Sequence, residues 1–183
     1  MKLGSIKRRL RPQRLNNRRS TWSNAFASAL APHDNFDGAL VAEAIRDLGQ
    51  DPSGKLECVY CGESAATWDH VFNRVEQGEF SGYGHQIRNL VPSCRACNER
   101  KGKMNWRQWL KQLAPADLEM RIARMEKFLR QGGVRKITPE DFRRAAPGEY
   151  DRFLEIRRQI FELLNEADNL AETIRERTSE QKL

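Results

Sequence analysis

CVYCGESAATWDHVFNRVEQGEFSGYGHQIRNLVPSCRACNERK, residues 58–101, decides how the rest of the chain is read. It contains two Cys-x-x-Cys pairs, Cys58 with Cys61 and Cys94 with Cys97, separated by 32 residues. The chain has 4 cysteines in all, so none is left over. Two intervening residues let both thiolates of a pair face one ion. Four thiolates complete a tetrahedral zinc shell with no position open for substrate, so the zinc is expected to be structural, one ion per chain. A redox dithiol or a set of buried free cysteines would leave the second matched pair to coincidence.

Between the pairs, residues 67–72 read as a short strand, 76–85 as a glycine-rich loop and 87–92 as a second strand. Residues 95–101 read as a short helix, which makes a ββα unit. Outward from it, 21–50 hold one or two short helices, because Ala39, Leu40, Val41, Ala44, Ile45 and Leu48 recur at helical spacing before Gly49 and Pro52. Met104, Trp106, Trp109, Leu110 and Leu113 form another helical apolar face, which makes both tryptophans core residues rather than stacking platforms. Two further helices are expected after Pro115 and Thr138, and a long one from about residue 149 to 177. The class is α+β, a mainly helical chain around a small ββα-metal module. Its parts are 1–20 as a flexible basic arm, 21–54 as a helical segment, 55–113 as the zinc-stapled core, and 114–183 as a helical region.

The net charge of +7 resides in the arm, where Lys2, Lys7, Arg8, Arg9, Arg11, Arg14, Arg18 and Arg19 stand among the first 19 residues without an acid. Such arms suit polyanions, since each neutralised phosphate releases condensed counterions. Arg8, Arg9 and Arg11 are the arm's candidate nucleic-acid contacts. No stretch approaches the roughly 20 apolar residues of a membrane span, and the N-terminus lacks the apolar region of a secretory signal. A cytoplasmic protein is expected, with no membrane partner.

The ββα unit also places reactive side chains. Asp69 and His70 follow the first cysteine pair, Asn89 lies in the second predicted strand, Asn98 directly follows Cys97, and Lys101 comes one turn later. Phosphodiester hydrolysis needs an activated water and charge neutralisation at the phosphate. A hard divalent ion such as Mg²⁺ takes oxygen ligands, which Asp69 and Asn98 can offer. A histidine with an ordinary pKa near ~6.5 is largely neutral at pH 7–8 and can accept a proton from water. WDHVFN…NLVPSCRACNERK resembles the HNH, or ββα-metal, nuclease family, particularly its four-cysteine members. The resemblance implies that His70 is the general base, that Asp69 and Asn98 hold catalytic Mg²⁺ or Mn²⁺, and that Asn89 braces the long loop orienting His70. Lys101 and Arg95 are candidate phosphate clamps. The chain departs from the common pattern in having Asn98 where a histidine is frequent, Asn73 in place of a proline, and a longer loop that contains His85. Neighbouring strand residues point to opposite faces, so Asp69 and His70 share a site only if the strand twists or ends there.

The leading reading is a bacterial or phage-encoded endonuclease of restriction or defence type. It would cut double-stranded DNA to 5′-phosphate and 3′-hydroxyl ends. The alternative is a zinc-containing nucleic-acid-binding module without catalysis, and a third is an interaction protein built on the last helix with a decayed nuclease core. In that helix Phe153, Ile160, Ala167 and Ile174 recur every seven residues, with Ile156, Leu163 and Leu170 at complementary positions. The stripe is wide, which favours packing within the chain, with Leu118, Ile122, Met125 and Leu129 as its partner; a homodimer through this helix is the second reading.

Overall fold

The computed structural model of the chain describes residues 6–7 and 10–180; Arg8 and Arg9 lie outside the described residues. The elements in order are α1 (Arg19–Leu30), α2 (Gly38–Asp47), β1 (Thr67–His70), β2 (Val75–Glu76), β3 (Glu79–Phe80), β4 (Leu90–Ser93), α3 (Arg95–Lys101), α4 (Trp106–Leu113), α5 (Leu118–Arg130), α6 (Pro139–Ala145) and α7 (Pro147–Glu180). No helix among the described residues is long and apolar enough to cross a membrane. The fold is α+β.

The chain divides into two compact units, residues 27–139 and residues 1–26 with 140–183. In the core of the first unit, Ala44 and Ile45 of α2 and Leu48 just after it pack with Val71, Val91, Trp109, Leu110, Ile122, Met125 and Phe128. One apolar interior thus joins α2, the two-stranded sheet, α4 and α5. Trp106 and Trp109 are buried in it. The stripe on α5 is filled here by α2 and α4.

Local signals place these elements. Asp37 caps α2, its carboxylate accepting from the backbone N–H groups of Ala39 and Leu40 at 2.9 and 3.1 Å. Asn105 caps α4 in the same manner through Arg107 N–H. β1 and β4 pair antiparallel, with Asp69 opposite Val91 and His70 opposite Leu90. Inside the stretch expected to be a plain loop, β2 and β3 form a hairpin. Its two-residue turn, Gln77–Gly78, has positive φ at both positions, 51° and 86°, as the right-handed twist of paired strands favours. Strands of two residues carry no readable period, which is why the sequence showed only a loop.

In the second unit, the segment expected to be a free arm is tied down from Arg14 onward. Leu15–Arg18 form a 3-10 turn. The backbone N–H groups of Leu15 and Asn16 donate to the Asp168 carboxylate of α7 at 2.7 and 3.0 Å, and Arg14 pairs with Glu172. Arg19 lies over the Phe161 ring, and Phe26 meets Phe153 edge-on. The opposite stripe of α7, namely Ile156, Leu163, Leu170 and Ile174, is exposed.

Candidate functional site

The four cysteines converge at the junction of the first knuckle and the start of α3. Their sulfur atoms all lie within 4.8 Å of one another, and Cys61 Sγ is 3.7 Å from Cys94 Sγ. A tetrahedron of Zn–S bonds of about 2.3 Å has edges of about 3.8 Å, so the spacing matches a single ion. None of the four is in a disulfide. Burial pushes the Cys61 thiol up to about 11 and raises Cys97 as well. Burial also opposes ionisation of Cys58, but backbone and Ser93 hydrogen bonds hold that thiol below its ordinary value. A set so crowded ionises fully only around a cation. Cys94 also caps α3, its sulfur accepting from Cys97 N–H, so the ligand set fixes where α3 begins.

That helix start places Asn98 and Lys101 against β1. Lys101 Nζ lies 3.0 Å from Asp69 Oδ2, with side-chain exposures of 0% and 7%, and it donates to the His70 carbonyl at 3.1 Å. Tyr60 OH donates to the same Asp69 oxygen at 2.7 Å. Burial and the Asp69 charge hold the Tyr60 hydroxyl well above its ordinary pKa, so it stays a donor. Lys101, expected as a phosphate clamp, has its ammonium buried against Asp69. Asn98 stands one turn earlier, with Nδ2 3.3 Å from Thr67 Oγ1. Arg95, at the start of α3, is exposed, as is Arg11.

His70 is the last residue of β1 and leaves it on the face opposite Asp69. Its Nε2 lies 3.3 Å from His85 Nδ1. His85 Nε2 in turn lies 3.1 Å from Arg74 Nη1, which also donates to Ser28 Oγ at 2.6 Å. A guanidinium only donates. His85 Nε2 therefore accepts, His85 Nδ1 carries the proton and donates, and His70 Nε2 is the bare nitrogen. Burial, with Arg74, His85 and Lys101 nearby, lowers the His70 pKa to about 4, so the ring is neutral at pH 7.

The loop that carries His85 is held from both sides. Asn89 is fully buried, and it lies in a 3-10 turn, Ile87–Asn89, rather than in the strand. Its Oδ1 accepts from Phe72 N–H at 2.8 Å, and its Nδ2 donates to the carbonyls of Phe72 and Gly84 at 3.0 and 2.9 Å. Arg88 ties the same turn to α2 through Asp47 and Glu43. His85 forms a bridge with His33, with His85 N–H donating to Pro32 O at 2.8 Å. This approach requires Gly84, since a Cβ there would collide with the Pro32 backbone.

The structure thus brings Asp69, Lys101 and Tyr60 together, with Asn98 beside Thr67 and Trp68. It brings His70 to His85 and Arg74, and it makes no direct bond between His70 and either Asp69 or Asn98. Tyr60 and Arg74 were not anticipated. Arg74 reaches back to Ser28, 46 residues earlier, while Tyr60 meets Asp69 nine residues on, and nothing in their spacing marks them.

The arrangement is a ββα module clamped by a four-cysteine metal site. Residues 58–104, about a quarter of the chain, match the family model described as HNH endonuclease, and the chain carries an HNH module there. Comparisons with curated proteins and with solved structures returned no match. An HNH module acts on or binds nucleic acid.

Proposed function

We propose that the protein is an HNH endonuclease hydrolysing DNA phosphodiester bonds, with double-stranded DNA as substrate and 5′-phosphate and 3′-hydroxyl products. The observation carrying this reading is His70 itself: a neutral, half-buried ring at the end of β1, its bare Nε2 held in place by His85. His70 takes a proton from the attacking water at Nε2, for which the water competes with His85 N–H. Asn89 holds the loop that delivers His85. We assign zinc to the four cysteines, with a structural role.

Asp69 and Asn98 are hard oxygen donors bordering one strand and fit Mg²⁺ or Mn²⁺ by donor type. Tyr60 and Lys101 both engage Oδ2 of Asp69. When bound, a divalent ion would supply positive charge for the departing 3′ oxygen. Arg95 and the arm residues Arg8, Arg9 and Arg11 are assigned to phosphate contacts.

The second reading, a nucleic-acid-binding module without catalysis, draws on one observation: the Asp69 carboxylate is buried and already paired. Incubation of supercoiled plasmid with purified protein, with and without added Mg²⁺ or Mn²⁺, separates the two. His70→Ala is expected to lose about 10²–10⁴-fold in rate, the usual worth of a general base, while zinc content and DNA binding persist. Undiminished cutting by that variant would overturn the mechanism.

A further inference from the structure

β1 presents two very different faces. On one, Thr67 and Asp69 meet α3. On the other stand Trp68 and His70, two residues apart and therefore on the same side of the strand, with Leu90 paired opposite His70. Trp68 is 46% exposed, whereas the α4 tryptophans are buried; Trp22 is exposed as well, at 41%. Beside it opens a cavity of about 300 Å³, lined by Trp68, Phe36, Ile45, Leu90 and His85. Phe36 is 87% exposed. The polar side chains at its edge are Asp34 and Asn35. Asp34 Oδ2 accepts from Ile87 N–H at 2.7 Å, which anchors the rim.

His85 makes the location telling. It lines this cavity and also bonds to the bare nitrogen of His70. The cavity therefore continues the face on which His70 stands. The volume is at the small end of ligand pockets, suited to a flat heterocycle. An exposed stacking ring beside a largely aliphatic lining, with a few hydrogen-bonding groups at the rim, suits an unstacked nucleobase. The ring faces contribute stacking, and the rim meets amino groups on the base edge.

We propose that this cavity receives a nucleobase turned out of the helical stack, from the strand whose phosphate lies at His70, with Trp68 as its stacking surface. The proposal rests on the nuclease reading for the identity of the polymer and deepens it by naming what flanks the scissile bond. It requires the duplex to open locally at the base that leaves the stack.

The test compares two probes, a short labelled oligodeoxycytidylate, whose bases carry an amino group, and an abasic phosphodiester oligomer of equal length and charge. Binding is measured by anisotropy without added magnesium, so that nothing is cut. Base–aromatic stacking is worth about 1–3 kcal/mol per base, or roughly 5- to 150-fold in affinity. Wild-type protein is expected to prefer the base-bearing probe by a factor in that range. Trp68→Ala should bind both probes alike, and Trp68→Phe should keep most of the preference. Phe36→Ala, at a ring too exposed to support the fold, should reduce it. Zinc content and thermal unfolding of each variant establish that it is folded. A preference unchanged in folded Trp68→Ala, or no preference in wild type, overturns the proposal; the latter is also the result if the groove serves a protein segment. Plasmid cutting is scored separately. A Trp68-dependent preference without cutting keeps the pocket and removes the nuclease reading, whereas cutting without a preference does the reverse.

Discussion

Replacing Lys101 with methionine tests whether its charge serves the fold or the substrate. The ammonium is fully buried, 3.0 Å from an Asp69 carboxylate that is itself 7% exposed. Removing one member of a buried pair strands the other charge, at a usual cost of 3–5 kcal/mol. Tyr60 would still donate to the stranded carboxylate, so the lower end applies, and a loss of about 3 kcal/mol is expected. Methionine keeps most of the aliphatic length, so little of the loss is cavity. Adding Asp69→Asn removes the stranded charge, and the double variant should recover a large part of the loss, with a coupling of about 1–3 kcal/mol. Urea unfolding of zinc-loaded protein, followed by circular dichroism, measures all four states of the cycle. If Lys101→Met costs less than about 1 kcal/mol and instead weakens DNA binding, the ammonium is reaching solvent, and its assignment to Asp69 is wrong.

Four further expectations follow from the same geometry. Metal analysis should find one zinc per chain, and a strong chelator should unfold residues 27–139 cooperatively rather than merely inhibit, because ligand binding and folding are one equilibrium; four freely titrating thiols in native, zinc-free protein would contradict this. Hydrogen bonds from Asn16 and Leu15 hold the Asp168 carboxyl below its ordinary pKa. A depressed carboxyl pKa stabilises above the unfolded value of ~3.9 and ceases to as pH falls through the folded value. Amide exchange at Leu15 and Asn16 should therefore accelerate as pH drops below about 4, after correction for intrinsic rates, and Asp168→Asn should show the faster exchange already at neutral pH; protection unaltered by that substitution would refute the contact. Deleting residues 1–13 removes Lys2, Lys7, Arg8, Arg9 and Arg11 and should flatten the log–log salt dependence of DNA binding by at most about 4.5, at ~0.9 per phosphate; an unchanged slope means that these cations do not touch the backbone. The exposed stripe Ile156, Leu163 and Leu170 recurs every seven residues on α7, and we expect sedimentation to give a dimer that Leu163→Glu converts to monomer; a monomeric intact protein at micromolar concentration would remove that reading.

Local covalent spacing dictates a good part of the fold and site. Two residues between cysteines place two thiolates at one ion, and the second pair can only complete that shell. Helical runs and their starts, such as Thr138-Pro139 at the beginning of α6, are equally local. The match of Asp69, His70 and Asn98 to a family pattern was legible for the same reason, since each stands at a fixed distance from a cysteine. Packing, in contrast, settles who meets whom. The position of Lys101 one turn after Asn98 says which side of α3 it occupies, but whether that side faces water or a buried carboxylate depends on how the helix lands on β1. The cysteine cluster ties the start of α3 close to β1, and the landing buries the ammonium. His85 reaches His70 because Gly84 lets the loop press onto Pro32 and because Asn89 pins the loop's two ends, contacts between segments with no fixed spacing in the chain. The strand's alternation puts Trp68 with His70 and sets Asp69 apart, and only the packing of α3 on the Asp69 side left the Trp68 side open.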